Sequence, residues 1–284
     1  MKTTKQQIIW KDLRKLNHLQ IGFNLVSPYP FLILSLWFAH MSHFLFAIPC
    51  TFLFFTAGFR QAHDGFHNTL GIGKKSTELL LFLLSAVMLT STHAIKQTHL
   101  QHHRTPLAKH DIEASFAHLA WYQAIFGGFK HWYDVQKAGY LLARSKNNKT
   151  LITVVLDYGL ISIFLITALI YIPQAFFYHT LVMVLGNAMV GFIAGWCVHH
   201  DCDEEIIART ERNPLVNLLT FNLLYHMEHH LYPSVPTNNL PKLAMRLDRV
   251  CNKYANKPVV PKLKLAQKLK PNPIKKTMVE HLRR

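Results

Sequence analysis

The chain has 284 residues, enough for one sizeable domain without demanding a second, and residues 1–284 are read as a single membrane domain. Half of the residues are hydrophobic and only 16% are charged, below the ~25% of a soluble domain, so the composition leans towards a membrane class and leaves the decision to periodicity. The net charge of +16 does not make it a nucleic-acid binder: residues 22–59 and 151–198 contain no Lys or Arg, so the 31 basic residues follow topology and not a phosphate-binding face.

The first segment, 1–21, carries Lys2, Lys5, Lys11, Arg14 and Lys15 but no short apolar core followed by a small-residue cleavage site, so it reads as a cytoplasmic segment and not a signal peptide. Residues 22–59 are then uncharged over a length that suits two spans of ~20 residues, broken at the polar stretch His40-Met41-Ser42-His43. The apolar run Leu79 to Thr90 is short for a crossing and suits an interfacial or re-entrant helix. Residues 151–198 repeat the two-span pattern, with Ile172-Pro173-Gln174 as the break and Asp157 as the only charged residue inside. The segment 253–284, rich in Lys and Pro, reads as a weakly ordered basic tail attracted to anionic headgroups. Cys50, Cys197, Cys202 and Cys251 show no CxxC spacing and are read as free thiols.

Two spans out and back, twice, leave both termini and the middle segment 60–150 on one side. All the Lys and Arg lie there, and the positive-inside rule makes that side cytoplasmic. The expected fold is therefore all-α: a multi-pass membrane protein, in the inner membrane if bacterial, with four transmembrane helices in two hairpins and a cytoplasmic helical cap.

Three histidine clusters fall on that face. His63-Asp64-Gly65-Phe66-His67 spaces two imidazoles at i and i+4, while His99-Leu100-Gln101-His102-His103 and His226-Met227-Glu228-His229-His230 space three at i, i+3 and i+4. One HxxxH is weak evidence; three clusters on one face point to a metal centre. Eight imidazoles exceed the ligands of a single zinc site and imply two metal ions, whose identity the spacing leaves open among zinc, copper, iron and nickel. His199 and His200, closing the last span, offer a ninth ligand. On a helix they point about 100° apart, so one of the two is expected to face the metals. Asp64, Asp111, Glu113, Asp201 and Glu228 are candidates to hold the outer N–H of metal-bound rings.

These residues resemble the membrane fatty acid desaturase superfamily, which also holds carotenoid ketolases and hydroxylases. The likeness runs from His63 to Leu243: HDGFH resembles the first histidine box, THLQHHR the second, and YHMEHHLYPSVP with Leu240-Pro241-Lys242-Leu243 the third. The resemblance implies a di-iron centre that uses O₂ on an unactivated C–H of a lipid, with His63, His67, His99, His102, His103, His226, His229 and His230 as ligands. It aligns His199, in GWCVHH, with the additional ligand. Gly195 stands where acyl-CoA desaturases tend to have asparagine, and the first box is HxxxH and not HxxxxH. The first departure removes a water-bridging asparagine, and the second leans away from acyl-CoA enzymes towards acyl-lipid, free-acid or carotenoid-type substrates. With no haem domain and no GxGxxG evident, the two electrons are expected from a separate donor such as a ferredoxin or a cytochrome b5-like protein. Hydroxylation or ketolation remains open beside desaturation. A metal transporter is the weaker rival, because transport sites lie near the bilayer midplane.

Overall fold

The structure, a computed structural model, describes residues 8–260. Residues 1–7 of the expected N-terminal segment and 261–284 of the expected basic tail lie outside the described residues. All regular structure among the described residues is helical.

The chain enters through α1 (His18–Val26), opened by a capping box in which Asn17 and Gln20 exchange hydrogen bonds. Pro28, at the first turn of α2 (Pro28–His40), costs no helical hydrogen bond because that N–H has no partner in any helix. Ser42, with φ 62°, breaks the chain at the expected polar stretch before α3 (Phe44–Phe66). Together α1 and α2 make one apolar stretch, His18–His40, and α3 a second; each is long enough to cross a bilayer.

The run expected to be interfacial or re-entrant is α4 (Lys74–Met88), followed by α5 (Thr92–Arg104) after a bend of 111°. The corner has a local cause. Leu89 takes the left-handed conformation (φ 54°), and the Ser91 side chain then caps α5 by accepting from the Ala94 N–H. Two helices follow, α6 (Trp121–Phe126) and α7 (Gly128–Lys146), with Trp121, Phe126 and Phe129 exposed. Close approach needs glycine at two points on α7, where a Cβ on Gly128 would lie 2.1 Å from the Ala188 carbonyl oxygen and one on Gly139 2.3 Å from that of Ala94.

The second apolar pair is α8 (Asn148–Tyr171), capped by Asn147, and α9 (Pro173–Val190), which continues as a π-helix over Gly191–Cys197. The expected break falls at Ile172. Four helical stretches among the described residues are thus long and apolar enough to cross a membrane, or five if the bent pair α4–α5 counts as one span. Asp157, the lone charge in this region, is fully buried and turned onto the corner between α4 and α5: it accepts from the Ser91 hydroxyl (2.6 Å) and the His93 N–H (3.0 Å). Three further α-helices follow among the described residues: α10 (Pro214–Leu219), α11 (His226–Leu231) and α12 (Leu240–Val250). A compact apolar cluster including Met227, Leu231, Leu240, Leu243 and Leu247 packs α11 on α12. All four cysteines are free.

Candidate metal centre

Each histidine cluster sits at a well-defined place in a helix. His63 lies in the last turn of α3 and His67 is its C-cap; His99, His102 and His103 lie on α5; His226, His229 and His230 fill α11; His199 follows the π-helix. All nine are buried or half-buried.

The nine rings converge into two groups whose ligand nitrogens lie within 4.8 Å of one another: His63, His67, His99, His103 and His229 in one, and His102, His199, His226 and His230 in the other. The sequence clusters are thereby divided between groups, and by a simple rule. Each i, i+4 pair (63/67, 99/103, 226/230) stays together, being offset by only about 40° on a helix, while the i+3 members His102 and His229 cross to the opposite group. His103 meets His229 at 2.8 Å and His102 meets His230 at 3.2 Å, Nε2 to Nε2.

The outer nitrogens decide what these contacts are. His99 Nδ1 lies 2.9 Å from the Glu113 carboxylate, His102 Nδ1 2.7 Å from Asp111, and His199 Nδ1 2.8 Å from the Ile207 carbonyl oxygen. A neutral ring that donates from Nδ1 carries its lone pair on Nε2. The Nε2 atoms of His99 and His199 then face those of His67 at 3.0 Å and His226 at 3.1 Å. Burial and mutual repulsion depress the pKa of His67 and His199 to about 3 and hold His226, His229 and His230 well below 6.5. Both nitrogens of His63 are buried without a hydrogen-bond partner. Burial is outweighed at His102, whose pKa Asp111 raises, while imidazoles whose Nε2 atoms turn on one another are a donor set that fits cations at two points. Burial pushes Glu113 up to about 7, and a cation beside His99 would favour its ionised form.

Of the five acidic candidates, only Asp111 and Glu113 touch candidate ligands. Asp64 lies 3.9 Å from His63 Nδ1, too far to hydrogen-bond, and instead accepts from the Thr237 hydroxyl at 2.8 Å. Glu228 is buried but takes Thr210 and Arg212. Asp201 is exposed and pairs with His200 and Arg209. His200 lies outside both groups: its ring stacks on Trp196 at 4.3 Å. Gly195 packs where a Cβ would be 2.8 Å from the Glu113 carbonyl oxygen, which leaves no room for the asparagine that acyl-CoA enzymes tend to carry.

An apolar cavity of about 1170 Å³, open mouth included, leads away from the rings. His63, His99, His102 and His226 line it together with Phe55, Phe59, Ile95, Val190, Ile193 and Leu224. It was not legible in the sequence, since it is assembled from spans and loops far apart in the chain. Trp37, Phe38 and Phe54, conspicuous aromatics of the first spans, are not among its lining residues.

A family model described as fatty acid desaturase matches residues 35–259. Over 47 residues the chain is 36% identical to the NADPH-dependent stearoyl-CoA 9-desaturase of Mycobacterium tuberculosis, in two strains; the alignment covers 16% of this chain and 11% of that relative. No solved structure matches.

Proposed function

The chain belongs to the fatty acid desaturase family, and from that premise we propose that it is a membrane oxidoreductase that desaturates a lipid acyl chain at a di-iron centre. The observation that carries this reading is the position of two imidazole groups, three of their rings held by the outer nitrogen, on the lining of an apolar cavity. The balanced reaction takes –CH2–CH2–, O₂, two electrons and two protons to –CH=CH– and two waters. Two bound iron ions would supply the O₂ reduction and the removal of hydrogen from an unactivated C–H.

His63, His67, His99, His103 and His229 would hold one ion and His102, His199, His226 and His230 the other. Asp111, Glu113 and the Ile207 carbonyl orient three of these rings, and such contacts raise ligand basicity. Phe55, Phe59 and Phe66 keep the cavity dry and fit a hydrocarbon substrate, either a membrane lipid or a lipid-linked acyl chain. The four apolar stretches form two hairpins, with both termini and a helical cap bearing the histidines on the cytoplasmic side. Electrons come from a separate donor such as a ferredoxin or a cytochrome b5-like protein.

The deciding experiment is metal analysis of the purified chain together with mass spectrometry of lipids from a host lacking related enzymes. Two iron ions and a product lighter by two hydrogens support the proposal. Gain of oxygen would reassign the chain to hydroxylation or ketolation, and zinc alone, with no activity restored by ferrous iron, would refute the iron centre. A reporter near Lys137 or after Arg284 that reads as non-cytoplasmic would overturn the topology.

A further inference from the structure

The cavity is lined mostly by apolar side chains, and the polar atoms of Thr56, Glu113, Trp132 and Thr220 on its wall already have protein partners. Asn187, on α9, is buried, and its amide is oriented by two contacts: Nδ2 donates to the carbonyl oxygens of Met88 (2.8 Å) and Met183 (2.9 Å). Both amide hydrogens are therefore used, and Oδ1 has no hydrogen-bond partner among the described residues. One helical turn on, Gly191 makes way for the ring of His131 from α7, whose Cδ2 would lie 2.5 Å from a Cβ at that position. His131 is also buried; its Nδ1 lies 3.3 Å from the Ser115 hydroxyl, and Nε2 has no partner among the described residues. Burial pulls its pKa down to about 4, so at neutral pH the ring is uncharged. If Ser115 donates to Nδ1, the ring presents Nε2–H. Both residues line the cavity.

Both atoms open onto the cavity without a protein partner among the described residues, and two such atoms about one helical turn apart call for a ligand that completes them. An acceptor beside a donor matches a group that both donates and accepts one hydrogen bond. A carboxylate, which can only accept, would be repelled by Asn187 Oδ1. Along the helix Gly191 and Asn187 precede His199 by eight and twelve residues, which sets them roughly two to three turns from that ring.

We infer that Asn187 and His131 form a hydroxyl-recognition subsite, and that the substrate is a long hydrophobic lipid carrying a hydroxyl group roughly two to three helical turns from the carbon that reacts. The inference rests on the functional reading above only in setting the reacting carbon at the histidines. It makes the far wall of the cavity a specificity determinant, selecting among hydrocarbons that the apolar lining admits equally.

The test is equilibrium binding of 1-octadecanol and octadecane to the full chain in one detergent, comparing the ratio of their Kd values between variants so that partition into micelles cancels. Combining His131→Phe with Asn187→Leu is expected to lower the preference for the alcohol about ten-fold, the scale of ordinary net hydrogen bonds, while octadecane binding persists and reports an intact cavity. His131→Gln, which keeps an N–H donor, is expected to retain most of the preference. An unchanged ratio in the double variant, or a His131→Gln as unselective as His131→Phe, overturns the subsite. If selectivity falls as expected but the purified chain holds no iron and oxidises no lipid, the subsite stands and the functional reading fails.

Discussion

Replacing His199 with alanine is expected to cost the chain a metal ion, and replacing its neighbour His200 is not. His199 is 1% exposed, with Nδ1 on the Ile207 carbonyl oxygen and Nε2 3.1 Å from His226 Nε2, inside the group of four. Its loss leaves three imidazoles. Changes to residues that merely orient a ligand cost about 10- to 100-fold in metal affinity, so loss of a ligand should exceed 100-fold, or about 2.7 kcal/mol. His200 stacks on Trp196 at 4.3 Å and lies 3.1 Å from Asp201, so its alanine variant loses a ring contact of about 0.5–1.5 kcal/mol and shows a lower melting temperature with metal content unchanged. The assay is iron per chain by elemental analysis, with product formation alongside and His43→Ala, exposed at the break between α2 and α3, as control. A His200→Ala chain stripped of iron beside a His199→Ala chain that retains it would refute the reasoning.

Glu113→Gln and Asp111→Asn remove the carboxylates that hold His99 and His102, and each is expected to weaken metal binding about 10- to 100-fold, measured by chelator competition. Asp157→Ala leaves the Ser91 hydroxyl and His93 without their shared buried acceptor; it is expected to destabilise the fold by about 3 kcal/mol or more, with Asp157→Asn milder, read from denaturant unfolding. The metal-free protein should lose stability as pH falls from about 6.5 towards 3. His67 and His199 have folded pKa values near 3, so over that window the unfolded chain binds more protons than the folded one. A melting temperature for stripped protein equal at pH 5 and pH 7.5 would contradict this.

Much of the architecture is local and could be read from the chain alone. The breaks at His40–His43 and Ile172, the absence of Lys and Arg from the apolar stretches, and the i, i+4 imidazole pairs are properties of neighbouring residues, because helical periodicity and proline placement act within a few positions. Asn187 left one faint signal, a polar amide in a run otherwise apolar, whereas His131 and His93 left none, being histidines outside any spaced cluster.

The division of nine rings into five and four belongs to tertiary structure. His102 meets His230 across 128 positions and His103 meets His229 across 126, contacts that exist only because α5 and α11 are brought together. The same holds for the choice between His199 and His200. Adjacent residues 100° apart offer equivalent side chains, and only the segment that stacks Trp196 on His200, with the Ile207 carbonyl beneath His199, separates them. The choice of Asp111 and Glu113 from five carboxylates was likewise decided by packing, since a charge in the sequence carries no direction until the surrounding helices close over it. Residue types and their spacing along each helix were determined by the sequence itself; which nitrogens converge, which carboxylates orient them and what cavity they face were decided by helix packing at long range.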